Sequence, residues 1–414
     1  MGLSTAYHLK KKDPSKNIVV IDKYAGPGQG NSAKSEGGFR NMFTSSTNYL
    51  LADTSIDCFF HMQEEMGYEL KLEPIGYMWL FSEDQYNEIE PALEHMREEG
   101  VELTVYNQEQ LGEMIPALMT DFGDDEEVEL LGLKNVDYGV FGKKCGSLDA
   151  DALVRAYEAE FIKLGGKVQY NTEATKLHVD PEMELGIPGE PFVWQNKVIT
   201  GVDTNKGEIK AETTVVACGV WASKLLDPVG LDSYMRPKKR QLFAFKDPKV
   251  EPIMKTTGLN KEGALPLTIL PTAGILLKSE LTEGSIWLGC ADGIPRKFEL
   301  EEDPQAEEDY YTNNIYHALV MYFPDFEDVR PMNSWAGQYA INSFDESPVI
   351  YKEEGLVYVG AGSGSGIMKG DALGRIASAL YYGEEEAELY GGRKFKVSDL
   401  GVHHRKIEPE KFVI

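Results

Sequence analysis

Three separated clusters of small and polar residues have the types and spacing for anion and cofactor chemistry. Near the end of the sequence, Gly360-Ala361-Gly362-Ser363-Gly364-Ser365-Gly366-Ile367-Met368-Lys369 follows the apolar run Leu356-Val357-Tyr358-Val359 and precedes a helical stretch, Asp371 to Tyr382. Free main-chain amides converge at a strand–loop–helix corner, which suits it to hold an anion or a cofactor. Near the start, Asn31-Ser32-Ala33-Lys34-Ser35-Glu36-Gly37-Gly38-Phe39-Arg40 mixes hydroxyls, glycines and two bases. Small residues there let the backbone approach a phosphate closely. Arg40 ends that run just before Asn41-Met42-Phe43, where a guanidinium could grip a carboxylate with two parallel hydrogen bonds. In the middle, Thr214 to Ala222 reads as a buried strand that breaks at Ala217-Cys218-Gly219, as at a sheet edge facing a ligand.

These clusters need elements to position them, and the first 22 residues supply the organising one. Leu3 to Lys11 is a good helix by propensity, stopped by Asp13-Pro14, and Ile18-Val19-Val20-Ile21 is a strand ending on Asp22. A dinucleotide-binding unit has this order, with an acid roughly 20 residues past its glycine fingerprint to bond a ribose hydroxyl. Asp22 lies twenty positions after Gly2. Taking Gly2 as the last fingerprint glycine, the first strand and first two glycines are expected upstream of Met1.

The pattern further predicts helices over 48–66, 84–99, 108–119, 147–164 and 307–323. Strands are expected over 72–81, 167–177, 198–202, 208–211, 235–245, 265–277 and 285–290, with Tyr138–Gly146 a loop or short strand pair. Leu164-Gly165-Gly166 closes the helix that Ser147-Leu148-Asp149 caps. Phe395–Ile414 is mixed in charge and carries no motif. The expected fold is α/β: a Rossmann-like domain from 1–75, 147–222 and 345–414, and a mostly antiparallel second domain from 76–146 and 223–344.

Composition bounds the partners. At 414 residues the chain exceeds what one core usually serves. It carries 68 acids against 41 bases, a net charge of −27, which repels nucleic acid and anionic lipid. No apolar run approaches bilayer length and no secretory signal heads the sequence. The cysteines Cys58, Cys145, Cys218 and Cys290 are far apart, so reduced thiols in a cytoplasmic protein and no metal site are expected.

Taken together, Gly2–Asp22 with Asn31–Arg40, Thr214–Ala222 and Gly360–Gly374 resemble the FAD-dependent D-amino-acid oxidase superfamily. The nearest branch holds the sarcosine oxidases, glycine oxidases and archaeal L-proline dehydrogenases. The resemblance implies that Gly2 and Asp22, with Lys23 beside it, serve the dinucleotide. Ser32, Ser35, Gly37 and Gly38 would wrap the pyrophosphate. The Ala174 backbone would meet adenine, and Ala217, Cys218, Gly219 and Trp221 would flank the cofactor. Gly362, Ser363, Gly364, Ser365, Gly366, Met368 and Lys369 would lie along the ribityl chain and flavin ring. It implies substrate-side roles for Arg40, Tyr339 and Lys369. The sarcosine oxidases attach flavin through a cysteine at a place that here falls near Gly337, so non-covalent FAD is expected.

The implied reaction is oxidation of a small amine or amino acid of sarcosine, proline or glycine type, by hydride transfer from the α-carbon to flavin N5. The seven histidines form no constellation, in keeping with chemistry that needs little acid–base machinery. Two alternatives stay open: a 2-hydroxy-acid or glycerol-phosphate dehydrogenase on the same fold, and a non-catalytic flavoprotein that assists assembly. The electron acceptor (oxygen, a quinone or a protein), the exact substrate and any homo-oligomer are left open.

Overall fold

The computed structural model describes residues 1–272, 274–293 and 296–412. Its largest element is an eight-stranded sheet. The order is Asn333–Asn342, Met235–Phe245, Ser285–Cys290, Ile275–Glu280, Leu267–Ile269, Tyr77–Phe81, Tyr138–Gly142 and Leu103–Asn107. All its pairings are antiparallel except that between Leu267–Ile269 and Tyr77–Phe81. Aromatic and aliphatic side chains such as Phe243, Phe245, Tyr311 and Phe326 fill one core against it.

The dinucleotide-type elements are parallel, in two separate pairs. Val19–Ile21 lies beside Lys167–Gln169, and Thr214–Val216 beside Leu356–Gly360, which also takes Val349–Glu353 on its other edge. Helix Gly2–Lys12 ends in three lysines, which suits the negative end of its dipole. It packs against helices Gly370–Tyr381 and Ala150–Lys163. Gly374 permits the first contact, because a Cβ there would stand 2.7 Å from the main-chain carbon of Ser4. Gly374→Ala is accordingly expected to cost about 1–3 kcal/mol through overpacking, read as a lower melting temperature.

Asp371 ties the three helices together. It accepts from His8 Nε2 at 2.8 Å and the Tyr157 hydroxyl at 2.8 Å on one oxygen, and from Arg375 Nε at 2.6 Å on the other. Burial holds His8 below the ordinary imidazole value, against the pull of Asp371. Burial opposes ionisation of Asp371, yet its pKa lies well below the usual carboxylate range because His8 and Arg375 face it.

Several sequence expectations shift in detail. The strand expected over 167–177 is two, Lys167–Gln169 and Ala174–Pro181, in different sheets. The chain turns between them at Asn171 (φ +52°), where Asn171 N–H donates to Tyr24 O and Thr172 N–H to Asp22 O. Tyr138–Gly142 and Cys145–Ser147 are both strands, but each pairs elsewhere rather than with the other. The 108–119 helix stops at Met114, since Pro116 disfavours helical geometry at Ile115. Within 307–323, the helical stretch starts with a π-turn at Tyr311–Ile315 before the α-helix Tyr316–Tyr322. No helix among the described residues is long and apolar enough to cross a membrane.

Candidate active site

The head, middle and tail of the chain meet at one corner. A Cβ placed on Gly2 would lie 3.5 Å from Ala217 Cβ, and one on either Gly362 or Gly366 would lie 2.8 Å from the Met1 methyl. The glycine-serine loop is strained where it turns: Ala361, Ser363 and Gly364 all have positive φ, at 57°, 44° and 81°. Non-glycine residues seldom adopt that geometry, and it persists where the surroundings enforce it. Here strand Asn333–Asn342 does so, through Ser363 N–H to Ala340 O (3.0 Å) and Asn342 N–H to Ser363 Oγ (2.9 Å). Gly364 must be glycine on two counts, since a Cβ would also stand 2.5 Å from the Tyr339 ring.

The Asn31–Arg40 loop is held over the same place by the large sheet. Asn31 Oδ1 accepts from Gln338 N–H at 2.9 Å, Lys34 O from Trp335 Nε1 at 3.1 Å, and Glu36 O from Lys278 Nζ at 2.6 Å. Gly37 (φ +69°) turns the chain, with its N–H on Ser35 Oγ at 3.0 Å and its carbonyl taking Leu148 N–H. Ser32 stays half-buried, its carbonyl taking Ser35 N–H. Gly38 lies under Tyr77, whose hydroxyl would be 2.3 Å from a Cβ there.

These pieces enclose a cavity of about 50 Å³ lined by Glu36, Arg40, Phe43, Asn48, Tyr77, Tyr339, Glu346, Ser363–Ser365, Met368, Lys369, Glu410 and Phe412. Arg40, Tyr339 and Lys369, expected on the substrate side, are all on its wall. Lys369 is fully buried; its Nζ donates to Asn48 Oδ1 at 2.7 Å and Ser365 Oγ at 2.6 Å and lies 4.5 Å from the Phe43 ring centre. Burial, helped by Arg40, lowers its pKa to about 7, with Glu410 pulling the other way. Burial likewise keeps Tyr77 and Tyr339 protonated. Arg40 gives two of its donors to the Met42 and Phe412 carbonyls and stacks its guanidinium 4.0 Å from the Phe43 ring centre.

The residues that sequence reasoning missed come mainly from the tail. Glu410 accepts from Thr44 N–H (2.9 Å), the Thr44 hydroxyl (2.8 Å) and Ser45 N–H (3.2 Å), at the start of helix Ser46–Glu64. Glu408 accepts from Ser45 Oγ at 3.1 Å and Thr47 N–H at 2.9 Å, so two carboxylates sit at the positive end of one helix. The Phe412 ring packs on Trp79 and Phe81, 4.8 Å and 6.1 Å between centres. No local motif announces these contacts, which join residues more than 300 positions apart. Asn48, Tyr77 and Glu346 were equally silent, each sitting in an unremarkable run. A larger cavity of about 230 Å³, beside Trp79 and Ile269, offers chiefly the Gln85 amide, already spent on Pro271 O.

The surrounding residues fit a dinucleotide. The first amides of helix Gly2–Lys12 have no side-chain cap, leaving N–H groups for a phosphate. Asp22 ends its strand, with one oxygen on Tyr24 N–H and the other without a hydrogen bond among the described residues; burial raises its pKa. Thr172 links Asp22 to the strand that begins at Ala174. At the middle corner Gly219 (φ +55°) follows Cys218, an exposed free thiol. Lys23 and Trp221 are already engaged with each other, Nζ 4.1 Å from the ring centre. Both also bond Glu302, at 3.3 Å and 3.1 Å.

A family profile described as "DAO: FAD dependent oxidoreductase" matches residues 1–380. Among curated proteins, the chain is 21% identical over 407 residues to "FAD-dependent oxidoreductase domain-containing protein 1" of Xenopus laevis, covering 92% of this chain and 77% of that protein. It is 24% identical over 277 residues to a glycine oxidase of Pseudomonas aeruginosa, covering 66% and 61%. The sarcosine oxidase subunit beta of Rhodobacter capsulatus is 22% identical over 410 residues, covering 95% and 86%. Among solved structures, the L-proline dehydrogenase from P. horikoshii matches with a TM-score of 0.72 at 20% identity, covering 92% of this chain and 91% of that one. Because the profile match runs from the first residue into the helix behind Lys369, taking in every corner described above, the chain belongs to the DAO family of FAD-dependent oxidoreductases.

Proposed function

We propose that this enzyme oxidises a small amino acid at its α-carbon, and that Lys369 is the group that receives the substrate carboxylate. The observation that carries the reading is the fully buried amine of Lys369 in the cavity wall, with Arg40, Tyr77 and Tyr339 in the same lining. A carboxylate brought beside Lys369 would raise its pKa back above 7 and hold the pair charged, as an opposite charge within about 4–6 Å does. Asn48 and Ser365 aim the ammonium, while Arg40 adds positive field from its anchored position. Tyr77, Tyr339 and Phe412 exclude water from the amine. FAD, when bound, would supply the two-electron oxidant for the α-carbon. In this reading 1–75, 147–222 and 345–414 form the FAD-binding part, and 76–146 with 223–344 the substrate part.

The test is direct. The FAD-loaded protein is mixed anaerobically with sarcosine, proline, glycine and D-amino acids, and its visible absorbance is followed. Bleaching by at least one amino acid is expected. Bleaching by a 2-hydroxy acid or glycerol phosphate, with every amino acid inert, would overturn the reading.

A further inference from the structure

The cavity holds one charged group that the reading above leaves without a task. Glu36 lines it; its carboxylate has its own main-chain N–H as hydrogen-bond partner and the field of Lys278, and no bond to another side chain among the described residues. Lys278, the cation facing it, spends its hydrogen bonds on the Glu36 carbonyl oxygen (2.6 Å) and on Glu280 (3.1 Å). Of the other carboxylates of the cavity, Glu410 is bonded to the helix start it caps, while Glu346 feels Arg240 and Lys369 against burial and the like charge of Glu410. A half-buried carboxylate with so few partners is costly, and a cation arriving with the ligand offsets that cost.

The placement of Glu36 is built. Three hydrogen bonds from the large sheet fix its loop, and Gly37 turns the chain directly after it. Tyr77 and Tyr339 share the wall with it, and rings of this kind favour a nearby cation. Arg40 and Lys369 supply the opposite charge. The cavity therefore presents both signs of a zwitterion.

We propose that Glu36 is the counter-charge for the substrate's ammonium group, so that the site selects zwitterions over plain carboxylates. This rests on the amino-acid reading above and adds the residue that recognises the nitrogen. Glu36 is also the acceptor for the proton the nitrogen must lose before hydride departs. The N–H bond breaks, its electron pair stays on nitrogen, and the proton forms an O–H bond on Glu36, giving a neutral acid that burial favours.

The test uses two ligands of equal shape and different charge: N,N,N-trimethylglycine, a fixed cation with a carboxylate, and 3,3-dimethylbutanoate, its neutral-headed counterpart. Binding to the FAD-loaded protein is measured by calorimetry. The wild type is expected to prefer the cation by roughly tenfold or more. Glu36→Gln should bring the two affinities together, and Glu346→Gln should retain the preference. Equal binding of both ligands to the wild type overturns the role of Glu36 and leaves the carboxylate site standing, whatever the variant's folding. Loss of the preference in Glu346→Gln but not in Glu36→Gln also overturns it. Failure of both ligands to bind the wild type removes the carboxylate site and this proposal together.

Discussion

A Lys369→Met enzyme loaded with FAD is expected to lose about 100-fold in kcat/KM toward a carboxylate-bearing amine, while melting no lower than the wild type. The loss corresponds to a hydrogen bond between charged partners in a water-poor cavity, roughly 1.5–3 kcal/mol. The stability half follows from burial. Lys369 has a folded-state pKa of about 7, well below that of a free lysine. Below the unfolded value of roughly 10.4, the unfolded chain binds more protons than the folded one. The cost of burying Lys369 therefore grows as pH falls from there toward 7 and stays constant below. Methionine removes that cost, against the loss of the bonds to Asn48 and Ser365. In the wild type, affinity for a carboxylate should fall as pH rises through about 7, and in the variant this dependence should vanish. A variant that unfolds early, or one that binds carboxylates normally, would assign Lys369 to scaffolding.

The second large effect is on stability alone. Asp371→Asn is expected to cost about 3–5 kcal/mol, the usual result of leaving one member of a buried ion pair alone. Here the abandoned charge is Arg375, and the single amide oxygen of asparagine cannot accept from His8 and Tyr157 on one side and Arg375 on the other. The sign with pH is fixed by the depressed folded-state pKa of Asp371. Its contribution is complete above the unfolded carboxylate value of roughly 3.9 and fades as pH falls toward the folded one. The gap between wild type and variant, measured by urea unfolding, should thus be widest near neutrality and close in strong acid. His8 works in the same direction for the wild type, since a histidine kept neutral by folding loses stability as pH drops below about 6.5.

Much of the frame was legible because its signals are local. Glycines, β-branched runs and a terminal acid within a few residues announce the strand–loop–helix corners, and the structure brings Gly2, Ala217 and Gly362 together. Lys369 and Tyr339, for which substrate-side roles were expected, both line the cavity. Arg40 was expected to grip the substrate directly, whereas its guanidinium is tied to two main-chain carbonyls, one from Phe412. Nothing near Arg40 in sequence could reveal that partner. Glu36 was in view as part of a phosphate-binding run, and only the fold, with Lys278 bonded to its carbonyl, places it in the cavity wall. Non-local contacts of side chains without motifs are the part that sequence reading does not reach.

The tail has a consequence for how the enzyme comes into being. Glu410 and Phe412 complete a pocket whose other wall is laid down by residues 36 to 48, with Glu408 bonded to the helix start behind it. On a ribosome the early wall emerges first and must wait for the late one, so the pocket has no finished shape until translation has passed Phe412. A chain stalled before that point would fold much of its sheet, yet leave Arg40 and the start of helix Ser46–Glu64 seeking partners. Ordering of this region therefore waits on residues 408 to 412, and the finished pocket arrives with them rather than with the sheet.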